Sequence, residues 1–310
     1  MSMKRVACLA AATVILGVSS AQAQAPWPGP GTESLPPDPT VPHLPATAPL
    51  ICLDGEPACV GALATELRSR TDALGCDHAA IFSDAYLTIT EALQDATGTE
   101  GFFARPDRVR HEARTYAQAY FDQSDRWHAG ELAAASPAWQ VAFRATQQQS
   151  VTGLGDLMLA LNAHIRRDNP IRAVEQTEGV LRVPGEMPAA SGKPDHERVN
   201  VVLANAMNTM LTRLAERYDP TIDDGAQVLG TVMDARGLYA IIAAWREESW
   251  RNAEQLRHAR AEGGVDGPLY QAKLAAIEAA AKASADAILA ATLTDPASNA
   301  ARNAYCQAHT

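Results

Sequence analysis

Residues 157–170, with the sequence LMLALNAHIRRDNP, constrain the fold more than any other part of the chain. At about 100° per residue, Leu157, Leu161, His164 and Asp168 fall on one face of a helix. An imidazole and a carboxylate thus continue an apolar stripe, which is costly unless each finds a metal, a charge or a hydrogen bond. The rest of the chain must supply the helices that bury this face.

The composition of the chain favours helices over strands. Its 310 residues are 47% hydrophobic but only 5% aromatic, and Ala is abundant, as in helical proteins. No segment shows a clear strand alternation or an Asn-Gly hairpin signal. The length and apolar content are sufficient for one large core. We therefore expect an all-α, single-domain, multi-helix bundle with a buried polar site.

The N-terminus has the pattern of an export signal. Lys4 and Arg5 precede an apolar run at residues 6–18, and Ala21-Gln22-Ala23 then supplies the small-x-small pattern of a signal-peptidase site. Residues 1–23 are therefore predicted to be a signal peptide, and the protein to be exported to the periplasm or secreted. No later stretch has about 18 uninterrupted apolar residues, so no membrane span is expected.

The charge of the chain excludes some partners. Removal of Lys4 and Arg5 with the signal peptide takes the formal net charge from −10 to about −12. An acidic protein is repelled by a phosphate backbone and by an anionic lipid surface. We therefore expect no nucleic-acid partner, and a small-molecule or lipid-like ligand is the more favourable partner class.

Proline and glycine mark the domain limits. Nine of the 19 prolines lie between residues 26 and 50, a density that forbids regular structure, so residues 24–51 are predicted to be a poorly ordered leader. The helical domain is expected to span residues 52–310. Within it, three prolines and two glycines predict a loop over residues 183–194, lying over the fold.

Four cysteines remain after the signal peptide: Cys52, Cys59, Cys76 and Cys306. An even number in an exported chain indicates two disulfides, for which three pairings exist. We favour Cys52 with Cys59 and Cys76 with Cys306, a bond that would tie the C-terminus to the first helices. The alternative is that one or more are free buried thiols. No CxxC spacing supports a redox motif or a zinc knuckle.

Helical periodicity and terminal signals place the individual helices. We predict a first helix whose stripe covers residues 56–70 and which ends near Gly75, a second capped by Asp77, a third beginning at Pro106 and a fourth from Pro137. A fifth is predicted from about Val151, and Asn169-Pro170 stops or bends it. A sixth is capped by Asp195, a seventh ends at Gly263-Gly264 and an eighth covers residues 269–293. Asp84 stands beside the apolar face of the second helix, and Asn200 falls on the apolar stripe of the sixth.

His164 and Asp168 are the first candidates for chemistry. Spaced four residues apart, they can hold one metal ion from a single helical turn, and bundles commonly complete such sites with carboxylates from neighbouring helices. Asp84 is the predicted third ligand, and Asp195 and Glu247 are further candidates. A divalent ion, with zinc favoured, is the predicted cofactor.

A structural role for the same pair is the alternative. A buried hydrogen bond between His164 and Asp168 could fix the packing of the helix, and Arg167 or Arg246 would then neutralise the carboxylate. The histidine at position 78, beside Asp77 at a helix start, is predicted to have a capping or surface role.

Three ordered motifs carry a resemblance to a known family. They are NAHIRRDNPI at residues 162–171, DHERVN at residues 195–200 and REESWRNAE at residues 246–254. Together they resemble an uncharacterised family of bacterial all-helical proteins, whose members carry NAHINxDLP, DYxRVN and ARDxAWxNAE in that order. The similarity covers roughly residues 77–290. His196 and Asn169 depart from the family's Tyr and Leu, and since the family has no assigned activity, the resemblance implies fold and site location only.

A second, fainter resemblance is to zinc-dependent phospholipases C and P1-type nucleases. His164, Asp168 and Pro170 partly match the HxxGDxxQPLH motif of those enzymes, and residues 245–249 loosely resemble their WAxES helix. No histidine follows Pro170 at the required place, a second HxxxD is missing and the mature N-terminus is not a tryptophan. The resemblance therefore implies a site with one or two metals and not a trinuclear site.

Two alternatives for function follow from these residues. The first is an exported metal-dependent hydrolase in which the bound ion activates a water molecule to attack an ester or phosphoester. Its predicted metal ligands are His164, Asp168 and Asp84, and its predicted catalytic residues are Asp195, Asn162, Asn200 and Arg246. The second is a non-catalytic periplasmic or secreted protein, in which the same residues form a structural network and the tryptophans surround an apolar ligand cavity. No GxSxG, HExxH or glycine-rich phosphate loop favours another enzyme class.

Overall fold

The computed structural model describes residues 55–175 and 192–310 of the chain. Its helices are α1 (Ala58–Leu74), α2 (Ala80–Gly98), α3 (Pro106–His128), α4 (Pro137–Gln148), α5 (Gly153–Asn162), α6 (Asn169–Glu175), α7 (Lys193–Arg217), α8 (Ala235–Gly263), α9 (Pro268–Thr292) and α10 (Pro296–His309). The predicted all-α class is confirmed. The signal peptide, the leader and residues 183–191 of the predicted loop lie outside the described residues.

The helix ends follow local chemistry, with one correction. Thr152 caps α5 by accepting a hydrogen bond from the backbone N–H of Gly155, and Asp234 and Asp295 cap α8 and α10 in the same way. The prediction that Asp195 caps α7 is wrong, because the helix already begins at Lys193. Proline fits the first turn of a helix, where its missing N–H costs nothing, so the helix starts before Asp195.

Two glycines allow the start of α5 to approach other elements closely. A Cβ at Gly153 would lie 2.7 Å from Oδ2 of Asp219, and one at Gly155 would lie 2.5 Å from Oγ1 of Thr292. Both distances are shorter than a carbon side chain tolerates. The backbone N–H of Gly153 donates to Oδ2 of Asp219 over 3.1 Å, so the contact is also a specific one.

The centre of the bundle is the segment between α5 and α6. This segment, Ala163–Asp168, is π-helical and packs against α3, α4, α8 and α9. Around it, α1 and α2 form an antiparallel pair, and α2 also packs along α7. The predicted burial of the 157–170 face is observed, since Leu157 and Asp168 are both 0% exposed.

A small β-hairpin before α8 was not expected from the sequence. Its strands are β1 (Gln227–Val228) and β2 (Thr231–Val232), which pair antiparallel with Gln227 opposite Val232. The two-residue loop has φ of 53° at Leu229 and 77° at Gly230. Two positive φ values are typical of a tight hairpin turn, but leucine is an unusual residue for the first position, and the sequence signal is therefore weak.

One predicted disulfide is present in the fold. Cys76 and Cys306 are bonded, with their Cα atoms 5.8 Å apart, and the bond ties α10 to the segment between α1 and α2. Cys59 is also disulfide-bonded, but its predicted partner Cys52 lies outside the described residues, so that pairing stays a prediction. Among residues 55–175 and 192–310, no helix is long and apolar enough to cross a bilayer.

Candidate ligand-binding cavity

The π-helical segment determines where His164 and Asp168 point. The backbone N–H of Asn169 donates to the carbonyl of His164, five residues earlier, instead of the usual four. Pro170 lacks an N–H and cannot continue a regular ladder, and the wider π turn precedes it. Of the two predicted outcomes at Asn169-Pro170, a stop is wrong, because the chain continues directly as α6 after the wider turn. Both polar side chains lie inside the bundle.

Asp168 is fully buried and its carboxylate has two donors. Trp139 donates its indole N–H to Oδ2 over 2.7 Å, and Arg167 donates to Oδ1 over 2.9 Å. Arg167 in turn donates to Glu278 on α9 over 2.8 Å. Burial raises the pKa of Asp168, while Arg167 and Trp139 oppose that shift. This contact agrees with one part of the structural alternative, the neutralisation of the carboxylate by Arg167.

His164 lies against the aromatic face of α2. Its ring centroid is 4.9 Å from that of Tyr86 and 5.9 Å from that of Phe82. Its Nδ1 is 3.9 Å from Oδ2 of Asp168, which is too far for a hydrogen bond, so the predicted hydrogen bond between these two residues is wrong. No other described group bonds to this nitrogen. Burial lowers the pKa of His164 to about 3, so the imidazole is neutral near neutral pH.

The structure does not bring Asp84 to His164 and Asp168. Asp84 lies about 200° around α2 from Phe82 and Tyr86, which face His164. Its carboxylate instead meets α7, where Arg213 lies 2.6 Å from Oδ1 and Arg217 lies 2.9 Å from Oδ2. Across the described ranges, no group of three or more His, Cys, Asp and Glu side chains is placed to hold a metal ion. The zinc site therefore stays a prediction.

Asp195 and Asn162 also make contacts that hold the fold together. Asp195 accepts hydrogen bonds from the backbone N–H groups of Ala104 and Arg105, each over 2.8 Å, and so fixes the turn before α3. Asn162 is 0% exposed and donates from Nδ2 to the carbonyl of Ala281 on α9 over 2.8 Å. Neither residue lines the cavity that lies between α2, α3, α7 and α8.

A cavity of about 110 Å³ lies between α2, α3, α7 and α8, with His164 at one side. Most of its lining is apolar, and the polar groups are few. The lining residues are Phe82, Ala85, Tyr86, Ile89, Thr90, Leu93, Val109, Glu112, Ala113, Tyr116, Leu161, His164, Ile165, Asn169, Val199, Leu203, Met207, Met210, Ile242 and Arg246. The buried tryptophans Trp127, Trp139, Trp245 and Trp250 are not among them, so the expectation that tryptophans surround the cavity is wrong.

Two of the predicted site residues, Arg246 and Asn200, are in contact beside the cavity. Arg246 is 7% exposed and donates from Nε to Oδ1 of Asn200 over 2.8 Å. Its Nη2 donates to the carbonyl of His196 over 2.8 Å, and no hydrogen bond of a described residue uses Nη1. Burial lowers the pKa of Arg246 and nearby Glu112 opposes this shift, but a guanidinium remains charged at neutral pH.

Glu112 is a functional candidate that sequence reasoning missed. It is 8% exposed on α3, and its Oε1 lies 3.8 Å from Nδ1 of His196. Burial opposes its ionisation, but His196, Arg246 and Tyr116 together hold its pKa below the usual value. The available signal was its position on the helical stripe formed with Val109, Ala113 and Tyr116, where a carboxylate is unexpected.

His78 was also assigned wrongly from the sequence. It is 1% exposed, and its Nδ1 lies 2.6 Å from Oδ2 of buried Asp156, which also accepts from Thr146 over 3.1 Å. The pair borders a separate cavity of about 20 Å³. That volume is close to what one water molecule needs, so this site has no room for a substrate.

The three sequence motifs meet next to the main cavity. Arg166 of the first motif donates to Glu248 of the third motif over 2.9 Å. Arg246 of the third motif contacts Asn200 and His196 of the second. Glu247, a further metal candidate, pairs instead with Lys193 and Arg251 near the surface.

Comparison with known proteins places the chain in a family. Residues 60–291 match the family described as a family of unknown function, DUF5995. No curated protein and no solved structure matches the chain. The faint resemblance to zinc-dependent phospholipases C and P1-type nucleases is therefore not supported by these comparisons. The match spans most of the chain and agrees with the three-motif resemblance, and the chain belongs to this family of unknown function (DUF5995).

Proposed function

We propose that this protein binds a small, largely apolar molecule in the cavity between α2, α3, α7 and α8. The observation that carries the proposal is the combination of an apolar lining with a few convergent polar groups, Glu112, Tyr116, His164 and Arg246. Such a combination is characteristic of ligand sites in proteins. With the export signal predicted at residues 1–23, the protein would meet this ligand outside the cytoplasm.

The size of the cavity supports a ring-sized occupant. Its volume of about 110 Å³ is comparable to that of an engineered cavity of about 150 Å³ that stays dry and binds benzene. A ligand that binds only the folded protein would also raise the stability of the fold.

The contacts of the predicted metal ligands favour binding over metal-dependent hydrolysis. A divalent cation is repelled by a guanidinium close to its ligands, and Arg167 donates to Asp168 while two arginines hold Asp84. Neither carboxylate is exposed to water. A hydrolytic site, in contrast, must admit both substrate and solvent. The binding function needs none of these groups to change partners.

Titration of the protein with isopropylbenzene, followed by calorimetry and by protein NMR, tests the proposal. We expect saturable binding of one molecule per chain, with chemical-shift changes at cavity residues such as Ala113 and Val199. The variant Ala113→Phe should fill the cavity and abolish binding while keeping the helical circular-dichroism signal. Ala279→Phe, at an exposed position of α9, is the matched control and should bind as the wild type does.

Two results would contradict the proposal. One is a wild-type protein that shows saturable binding neither of isopropylbenzene nor of its polar analogues of the same shape, such as benzamide. The other is equal binding by wild type and Ala113→Phe, which would show that the probe attaches elsewhere.

A further inference from the structure

We infer that the natural ligand is a neutral molecule whose single polar group both donates and accepts hydrogen bonds, of which a carboxamide is the simplest example. This inference rests on the proposed function, because it names the ligand class of the same cavity. It comes from two residues that the cavity brings together from α3 and α8, Glu112 and Arg246.

The first argument is the balance of charge. Glu112 and Arg246 each place a charged side chain, 8% and 7% exposed, in the lining of an otherwise apolar cavity. Their charges are opposite and cancel. The remaining polar side chains of the lining, among them His164, Tyr116 and Asn169, carry no charge near neutral pH. A ligand with its own net charge would therefore be buried without a counter-ion, which is costly in a site of low polarity.

The second argument is the unused hydrogen-bonding capacity of the pair. No direct ion pair joins Glu112 to Arg246 among the described residues, although each acts on the other electrostatically. Arg246 uses Nε and Nη2 for Asn200 and His196 and has Nη1 left to donate. Glu112 has two carboxylate oxygens that together offer several lone pairs. Tyr116 hydrogen-bonds to this carboxylate and the contact with His196 is long, at 3.8 Å, so Glu112 can still accept from a ligand. The pair therefore offers one acceptor and one donor to a ligand.

His196 and Asn200 hold the guanidinium of Arg246 in place and so limit what it can recognise. Arg246 is fixed by the side chain of Asn200 and the backbone of His196, both on α7. A fixed donor next to a fixed acceptor matches a group that carries N–H and C=O on one carbon. A purely apolar ligand would leave both charged groups without that partner, and buried polar groups without partners strongly disfavour the wrong ligand.

Four probes with nearly the same shape separate the possibilities. Benzamide is neutral and has the donor and acceptor, benzoate is an anion, benzamidinium is a cation and isopropylbenzene has no polar group. Calorimetric titration of the wild-type protein should give benzamide a dissociation constant about tenfold or more below those of the other three. Wild-type binding alone thus tests the inference without any variant.

Charge variants provide a second test. In Glu112→Gln the cavity keeps its shape but has a net positive charge, so the preference should shift from benzamide toward benzoate by about tenfold. In Arg246→Gln the remaining carboxylate should shift the preference toward benzamidinium. Glu100→Gln and Arg251→Gln, which make the same charge changes at exposed positions, should keep the wild-type order.

The outcomes distinguish this inference from the proposed function. If isopropylbenzene and the polar probes all fail to bind, the cavity is not a ligand site and both proposals are wrong. If isopropylbenzene binds but benzamide binds no more tightly, or if benzoate equals benzamide, the cavity binds ligands and the inference alone is wrong. An unchanged order of affinities in a folded Glu112→Gln protein would also overturn it.

Discussion

Trp139 on α4 donates its indole N–H to Oδ2 of Asp168 over 2.7 Å, and both side chains are buried, at 1% and 0% exposure. A large ring and a carboxylate thus hold the central π-helical segment against α4. Arg167 completes the contact and connects it to Glu278 on α9. Asp168 therefore ties the central segment to α4 and, through Arg167, to α9, and the proposed ligand cavity lies beside this contact.

This arrangement predicts that Asp168→Ala strongly destabilises the protein. The substitution leaves the indole N–H of Trp139 and the guanidinium of Arg167 without their buried acceptor, so the free energy of unfolding should fall by about 3 kcal/mol. Denaturation with urea, followed by circular dichroism, measures this value. Asp223→Ala, at an exposed position, is the control and should change stability by less than about 0.5 kcal/mol. A similarly small effect of Asp168→Ala would contradict the structural role.

His164 predicts a loss of stability in acid. Its pKa in the folded protein is about 3, because it is buried, while the unfolded chain has the ordinary value of 6.5. A lowered pKa contributes stability that is present above pH 6.5 and is lost as the pH falls toward 3. Between about pH 6.5 and about pH 4.5, the free energy of unfolding should fall by about 2 to 3 kcal/mol more in wild type than in His164→Gln.

An exposed histidine controls for general acid effects. His258, whose side chain is 76% exposed, should give a His258→Gln variant with the acid sensitivity of the wild type. If His164→Gln and wild type instead lose stability in parallel over this range, His164 is accessible to protons in the folded state.

Chelation tests the metal site that the sequence predicts. Because Asp168 and Asp84 are each held by arginine, we expect the melting temperature to be unchanged by excess EDTA. Elemental analysis of the purified protein provides the second measurement. About one equivalent of zinc in the wild type, lost in His164→Ala without loss of helicity, would show that these residues do bind metal and would support the hydrolase alternative.

The disulfide between Cys76 and Cys306 predicts a further loss of stability on mutation. The bond closes a loop with a sequence separation of 230, for which chain entropy gives a stabilisation of at most about 5 kcal/mol. Cys306→Ser should therefore lower the melting temperature. Peptide mapping without reductant should recover the segments that contain Cys76 and Cys306 as one linked species. Separate recovery of the two peptides would show that the bond does not form.

Much of the fold was predictable because it depends on local pattern. The stripe of α2, the proline at the start of α3 and the glycine after α1 gave helix positions close to those observed. The burial of His164 and Asp168 followed from the same periodicity. The hairpin at residues 227–232 was missed because Leu229 occupies a turn position that usually requires asparagine or glycine.

The site was less predictable because it depends on contacts between distant segments. Asp84 is adjacent to an apolar stripe, as predicted, but its partners Arg213 and Arg217 lie about 130 residues later. The π-helical turn also rotates side chains away from the regular 100° spacing, and no residue pattern in the sequence predicted this turn. Glu112 comes close to His196 and Arg246 only because α3 packs against α7 and α8. A helical wheel of α3 cannot show this contact between helices.

A crystal structure of the protein soaked with benzamide tests the central claim, that the cavity is a ligand site, most directly. The account predicts electron density for one benzamide molecule between α2, α3, α7 and α8, with the ring against Tyr86 and Val199 and the amide between Glu112 and Arg246. An empty cavity at a concentration that saturates binding in solution, or benzamide bound only elsewhere on the protein, would contradict it.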